Sequence, residues 1–323
     1  MAILLNHDEV ASAVTMVEAV EAVEEGFRVQ ARGEVTLPPR ITTPAGTGWI
    51  RMMPAVLNGM GVMGFKAMNL VPKLGVRYVV FLYRIADGAL LAIMDAASIT
   101  TQRTGAVSAV ATKWMARQDA STVGVLGSSV EAKAQLVAMT AVRPVRSARV
   151  FSPNPAHRKR FAEEMSRDLG IAVTPVDSER EAVRGVDFAV LAVKATTPVF
   201  LGDWLEPGMH VSAIGSVRPE QREVDVETFR RSDLVVVDSR DETMESGDGR
   251  AAKVDGLDGL DFHELWELVD GRVPGRKDAR SITLFKSVGT ALQDLALARK
   301  IYEVALAKGL GRDLGDFPHV KPL

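Results

Sequence analysis

Thr122-Val123-Gly124-Val125-Leu126-Gly127-Ser128-Ser129-Val130-Glu131-Ala132 carries a short apolar strand through a glycine turn and into a helix. A strand that runs into Gly-x-x-x-x-Ala and then a helix is the layout of a Rossmann phosphate turn. Glycine there lets the chain turn tightly and approach a pyrophosphate seated on the helix N-terminus. Ser129 stands where the middle glycine usually falls, and its hydroxyl has the chemistry to donate to a phosphate oxygen. The same letters, Ser128-x-x-Glu131, also spell a capping box that opens an ordinary helix, and Glu131 would repel a diphosphate beside it. Local letters leave both readings open. Position favours the first, because the turn follows the first strand of an alternating half.

That half extends downstream. Apolar runs at Thr122–Leu126, Ala148–Phe151, Ala172–Val176, Phe188–Val193, His210–Ile214 and Leu234–Val237 alternate with polar and helical stretches, including helices over 130–142 and 156–169. This rhythm predicts an α/β fold with a doubly wound parallel sheet. Upstream the pattern is mixed α+β. A capping box at Thr15/Glu18 opens a helix that Gly33 ends, Tyr78–Ile85 and Ala89–Met94 form a hairpin through Ala86-Asp87-Gly88, and a small-residue helix covers 101–116. A terminal helix is expected over 287–308, with Gly309 as its stop. The expected division is residues 1–116, completed by 290–323, and 117–289 as a dinucleotide-binding domain.

Composition narrows the function. The chain has 323 residues, 47% hydrophobic and 25% charged, with a net charge of -2. Such balance gives no bulk attraction to nucleic acid or an anionic membrane. No apolar run approaches the ~18–20 residues of a membrane span, and MAILLNHDEV lacks the basic and apolar regions of a secretory signal. With no cysteine, disulfides and thiol nucleophiles are excluded, and a cytoplasmic protein is expected. Five scattered histidines predict no metal site, and no Gly-x-Ser-x-Gly elbow supports acyl transfer. Trp114, Trp204 and Trp266 have apolar neighbours and are expected to pack. The charged stretch Asp238–Asp248 is expected as a solvated helix or loop, with Glu245 an outlying candidate for a cofactor rim.

The second strand bears on which dinucleotide is held. An acid usually follows that strand to bind a ribose 2′-hydroxyl, but Phe151-Ser152-Pro153-Asn154-Pro155-Ala156-His157-Arg158 contains none before Glu163. Ser152 and Asn154 can hydrogen-bond, and Arg158 can meet a 2′-phosphate, so NADP(H) is favoured over NAD(H). The alternative is that Arg158, Lys159 and Arg160 are only the solvated first turn of a helix.

Taken together, several strings resemble the ornithine cyclodeaminase/mu-crystallin family: Gly64-Phe-Lys66-Ala-Met-Asn69, Arg103-Thr-Gly-Ala106, the Gly127 turn, Ile214-Gly-Ser216, Val237-Asp-Ser239 and Lys277-Asp-Ala-Arg280-Ser-Ile-Thr-Leu-Phe285-Lys-Ser287-Val288-Gly289. They occur in order along nearly the whole chain. The resemblance implies a homodimer acting on a small imino or amino acid, whose α-carboxylate is held by Arg40, Lys66 and Arg103. Lys66 and Arg103 are the catalytic candidates. Each of these alone reads more simply as a surface cation. Together they suit an anchored carboxylate, and two guanidiniums beside Lys66 would disfavour its charge. The resemblance further implies cofactor contacts at Gly127, Ser128, Ser129, Val130, Ser152, Val193, Ala213, Ile214 and Ser287, with Val288 at the substrate. An N-cap is the simpler reading of Ser287.

One departure separates the branches. The cyclodeaminases carry an aspartate two residues beyond the glycine after the fifth strand; here Val217 occupies that place and transfers no proton. The segments 215–225 and 237–248 look more like the mu-crystallin branch. The expected activity is therefore NAD(P)H-dependent reduction or oxidation at a C–N bond. A cyclodeaminase that has moved its acid, and a nucleotide-binding protein without catalysis, are the alternatives.

Overall fold

Alternating side chains in the first hundred residues build a mixed sheet, and a short hydrogen-bonded turn sets its register. Its strands are β1 Ile3–Leu5, β2 Val35–Thr36, β3 Ile41–Ala45, β4 Gly48–Leu57, β5 Val62–Val71, β6 Gly75–Arg84 and β7 Leu90–Asp95. The expected hairpin forms, β6 pairing antiparallel with β7, and Asp87 takes both the Arg84 guanidinium and the Ala89 N–H in the turn. The structure is a computed structural model describing residues 2–257 and 262–321. They fall into two compact units, Met1–Arg103 with Thr290–Leu323, and Thr104–Gly289.

In the first unit the sheet order is Arg312–Asp313, β1, β7, β6, β5, β4, β2, with β3 also on β4. Helices α1 His7–Ala13 and α2 Met16–Ala31 each open on a complete capping box, Asn6 with Glu9 and Thr15 with Glu18. The terminal helix Ala291–Lys308 packs on α2, β4 and β5. It starts later than expected, with Thr290 as N-cap, because Thr283–Lys286 is a strand and Ser287 is still leaving the sheet. Ser287 is therefore no N-cap.

Helix α3, Ala97–Met115, begins earlier than residue 101. The two units part within it, between Arg103 and Thr104, and not near residue 116.

The second unit holds a wholly parallel sheet: β8 Thr122–Leu126, β9 Ser147–Phe151, β10 Ala172–Pro175, β11 Phe188–Leu191, β12 His210–Ala213, β13 Leu234–Val237, β14 His263–Glu264 and β15 Thr283–Lys286. Its order is β10-β9-β8-β11-β12-β15-β13-β14. All six strands read from the sequence are present. Strand β15, absent from that reading, inserts between β12 and β13. Every residue of β11, β12 and β15 is buried, as expected of a sheet covered on both faces. From β8 the chain winds outward to β10 and returns on the other side at β11, so the topological switch lies between β8 and β11. Helices α4 Val130–Val142 and α5 Pro155–Leu169 follow the first two strands. Among the described residues no helix is long and apolar enough to cross a membrane.

Candidate active site

The two-residue period of β5 puts Lys66 on the same buried face as Val62 and Met68. A lysine on a core face needs a partner, and the terminal helix supplies it. Asp294, fully buried, lies 2.7 Å from Lys66 Nζ through Oδ2. Its other oxygen accepts from Arg103 Nε at 3.1 Å, while Arg103 Nη1 donates to Gln293 Oε1 at 3.0 Å. One carboxylate thus ties together the two cations singled out in the sequence. Burial lowers the Lys66 pKa to about 8; Asp294 pulls it back up, and Arg103 and Arg40 push it further down. The Tyr78 ring lies 5.9 Å from the ammonium. Arg40 is half-buried and joins the cluster through its charge.

Asp294 and Gln293 were not singled out in the sequence. Their signal was the polar pair in Ala291-Leu-Gln-Asp-Leu-Ala-Leu-Ala298, a run buried at every position. Buried charge in a helix that is apolar all round requires a partner.

In the second unit, Gly127 ends β8 with φ +114°, a conformation that disfavours a side chain, and a Cβ there would lie 2.7 Å from the Ala192 carbonyl oxygen. Helix α4 starts at Val130, so Ser129 is its N-cap and accepts from Ala132 N–H at 3.5 Å. The Ser128/Glu131 capping box does not form: the third helical residue is Ala132, which has no side chain to reach back. Ser128 instead donates to Ser152 Oγ at 3.0 Å, joining the turn to the end of β9. Val130, 65% exposed, stands open at the first helical position.

Asn154 caps α5, its Oδ1 accepting from Ala156 and His157 N–H, which occupies that oxygen. Arg158 is not a freely solvated residue. It lies 5.5 Å from the Phe151 ring, donates to the Ser152 carbonyl at 3.1 Å and pairs with the exposed carboxylate of Asp177.

The far strand ends are equally well tied. Val193 N–H, after β11, donates to Glu223, and Ile214 N–H, after buried Ala213, donates to the Leu191 carbonyl. Ser287 Oγ donates to Asp238 Oδ2 at 2.6 Å, and the Val288 and Gly289 N–H groups donate to the same carboxylate. Asp238 and Asp248 are buried, so the expectation of a solvated stretch fails at both ends. Each carboxylate collects backbone donors, Asp238 just past the end of β15 and Asp248 at Glu223 and Val224, a role that composition alone does not announce. Glu245, between them, is exposed and pairs with Arg250.

His210 is wholly buried, bonded to Thr283 Oγ1 at 2.9 Å and Ser212 Oγ at 3.1 Å, and burial lowers its pKa to about 3. Among the described residues no cluster of three or more His, Asp or Glu is arranged to hold a metal ion.

The model of the ornithine cyclodeaminase/mu-crystallin family matches residues 2–309. The chain belongs to that family. Similar solved structures are the Thermococcus litoralis Delta(1)-pyrroline-2-carboxylate reductase in complex with NADH and L-proline (37% identity, 97% of this chain and 100% of that one, TM-score 0.92) and an archaeal alanine dehydrogenase dimer with bound NAD (33%, 98% and 99%, 0.91). The ketimine reductase mu-crystallin of Rattus norvegicus is 31% identical, over 92% of this chain and 94% of its own. The second unit suits the dinucleotide such family members bind. It has a glycine turn with no room for a side chain, an open helix N-terminus and two hydroxyls joining the first two strand ends.

Proposed function

We propose that this protein is a nicotinamide-dependent reductase of a small α-imino acid, also able to run as the amino-acid dehydrogenase. The observation that carries the reading is the buried cluster in which Asp294 draws Lys66 and Arg103 together, with Arg40 adding its charge. Arg103 and Arg40 hold the substrate carboxylate, whose plane an Arg fork fixes bidentately. Lys66, with its pKa lowered to about 8, holds a proton near neutral pH and gives it up readily, which suits protonation of an imine nitrogen. Protonation leaves the imine carbon electrophilic. Asp294 keeps the Lys66 ammonium charged and in place. Gly127, Ser128, Ser129, Val130 and Ser152 would hold the dinucleotide's phosphates and ribose, with Val193, Ala213, Ile214 and Ser287 toward its nicotinamide and Val288 toward the substrate. When bound, the reduced nicotinamide supplies the hydride.

Two relatives of this kind support the reading, the proline-bound reductase and the rat ketimine reductase. Ring closure of ornithine is a weaker fit, because the loop Gly215-Ser216-Val217 offers no acid and Glu223 spends its oxygens on backbone N–H groups. For the adenosine end we favour NADP(H). No acid stands between β9 and Glu163, and Arg158 is fixed there, although the exposed Asp177 competes for it. Assembly as a homodimer, the state of the archaeal alanine dehydrogenase, completes the proposal.

The test is a panel of cyclic ketimino acids assayed with NADH and NADPH. Reduction that Lys66→Ala and Arg103→Ala each lower by roughly two orders of magnitude is expected. Wild-type kinetics in both variants would refute the site, and tighter binding of NADH than of NADPH would refute the cofactor preference.

A further inference from the structure

The nicotinamide end of a doubly wound site lies past the topological switch, over the strands on the opposite side from the first two. In this chain those are β11 and β12, and the segments leaving them meet at one side chain. Glu223 is fully buried. Its Oε1 accepts from Val193 N–H at 2.9 Å, after β11, and its Oε2 accepts from Gly215 N–H at 2.7 Å and Ser216 N–H at 3.1 Å, after β12. The two segments are pressed together at this point. A Cβ on Gly215 would lie 2.1 Å from the Val193 carbonyl oxygen and 2.6 Å from Glu223 Oε1.

Further buried charges lock the carboxylate. Lys286, the last residue of β15, donates to the Ser216 carbonyl at 2.6 Å, lies 3.1 Å from Asp248 Oδ2 and 3.9 Å from Glu223 Oε2. Asp248 Oδ1 in turn accepts from the Glu223 and Val224 N–H groups. We propose that Glu223 is a positioning residue that fixes the strand ends of β11 and β12 and thereby shapes the seat of the nicotinamide ring, leaving the adenosine half untouched. This rests on the dinucleotide reading of the second unit. Burial pushes the Glu223 carboxyl up, to about 7, against the pull of Lys286 and with the help of Asp248. Three buried charges are a costly way to fill a core, where apolar side chains serve stability at least as well. Their arrangement is explained by the backbone they hold. Every oxygen of Glu223 faces N–H donors, so it orients the site without carrying the substrate's proton.

The experiment is calorimetric titration of the cofactor the wild type prefers, NADH or NADPH, against the matching fragment without nicotinamide, ADP-ribose or its 2′-phosphate. In Glu223→Gln one amide NH₂ must face backbone N–H groups. The whole cofactor should then bind about ten- to a hundredfold more weakly while the fragment stays within about twofold. Glu223→Asp keeps the charge and should show the same selectivity to a smaller degree. Equal loss of both ligands in both variants, including loss through failure to fold, or no loss of either, overturns the proposal. A wild type that binds neither cofactor nor fragment refutes the dinucleotide reading itself.

Discussion

Replacing Asp294 with Asn removes the carboxylate that the structure places against both Lys66 and Arg103, at 2.7 Å and 3.1 Å. Opposite charges about 3 Å apart attract by roughly 5 kcal/mol at an effective dielectric of about 20, and Asp294 is the main force holding the Lys66 pKa up against burial and the two guanidiniums. Part of that attraction is returned by the amide's own hydrogen bonding, so we expect the Lys66 pKa to fall by about two units. The sign follows directly. With Lys66 as the proposed proton donor, wild-type kcat/KM for an imino acid should be highest while Lys66 is an ammonium and should decline as pH rises through about 8. In Asp294→Asn the same decline begins about two units lower. At pH 8 the wild-type lysine is half charged and the variant's about one part in a hundred, a loss of about fiftyfold. At about pH 5.5 the two proteins should differ only a few-fold. The assay is the pH profile of kcat/KM, followed through absorbance of the reduced nicotinamide, with one substrate for both proteins so that the imine's own titration cancels. A loss of the same size at every pH would refute the reasoning, since it would mean that Asp294 only shapes the pocket.

Other outcomes follow from the same contacts. Arg103→Lys keeps the charge but loses the planar fork, so KM for the imino acid should rise about tenfold or more with the cofactor's KM unchanged. An unchanged substrate KM in steady-state kinetics would remove Arg103 from the carboxylate. Gly127→Ala forces a side chain into φ +114° and against the Ala192 carbonyl, and should weaken dinucleotide binding about tenfold or more in a fluorescence titration. His210 is buried with a pKa near 3, so the native state resists protonation that the unfolded chain accepts near 6.5. Its stability contribution is complete above pH 6.5 and declines by about 1.4 kcal/mol per unit below it. In His210→Gln, urea unfolding from pH 7 to pH 4.5 should show a shallower acid decline than in wild type, and parallel curves would show that His210 does not govern it.

The parallel sheet was legible because its strands are short continuous apolar runs set between helices, and each such run became a strand. Strand β15 was not legible in the same way. Thr283-Leu-Phe-Lys286 ends in a lysine, which breaks the apolar pattern, and Lys286 is buried only because Ser216 and Asp248 receive it. The start of the terminal helix was misplaced for the same reason. Sequence period assigns a residue to an element, but the end of an element depends on partners that period does not see.

The site divides along the same line. Lys66 and Arg103 were legible as candidates from the neighbours that match the family's pattern, and Gly127 from its place at a strand end. Asp294, Glu223, Asp238 and Asp248 were not, and all four act on groups distant in sequence: Asp294 on Lys66 and Arg103, Glu223 on Val193, Asp238 on Ser287, Asp248 on Lys286. A buried carboxylate has no local signature, because what makes it tolerable is donors brought to it by the fold. Basic residues that touch an anionic ligand sit in motifs that can be matched, whereas the acids that hold them in place can stand anywhere the chain returns. Asp294 shows the consequence. It is read as a polar interruption of an apolar helix until β5 and α3 are folded beside it, and then it becomes the group on which the charge of Lys66 depends.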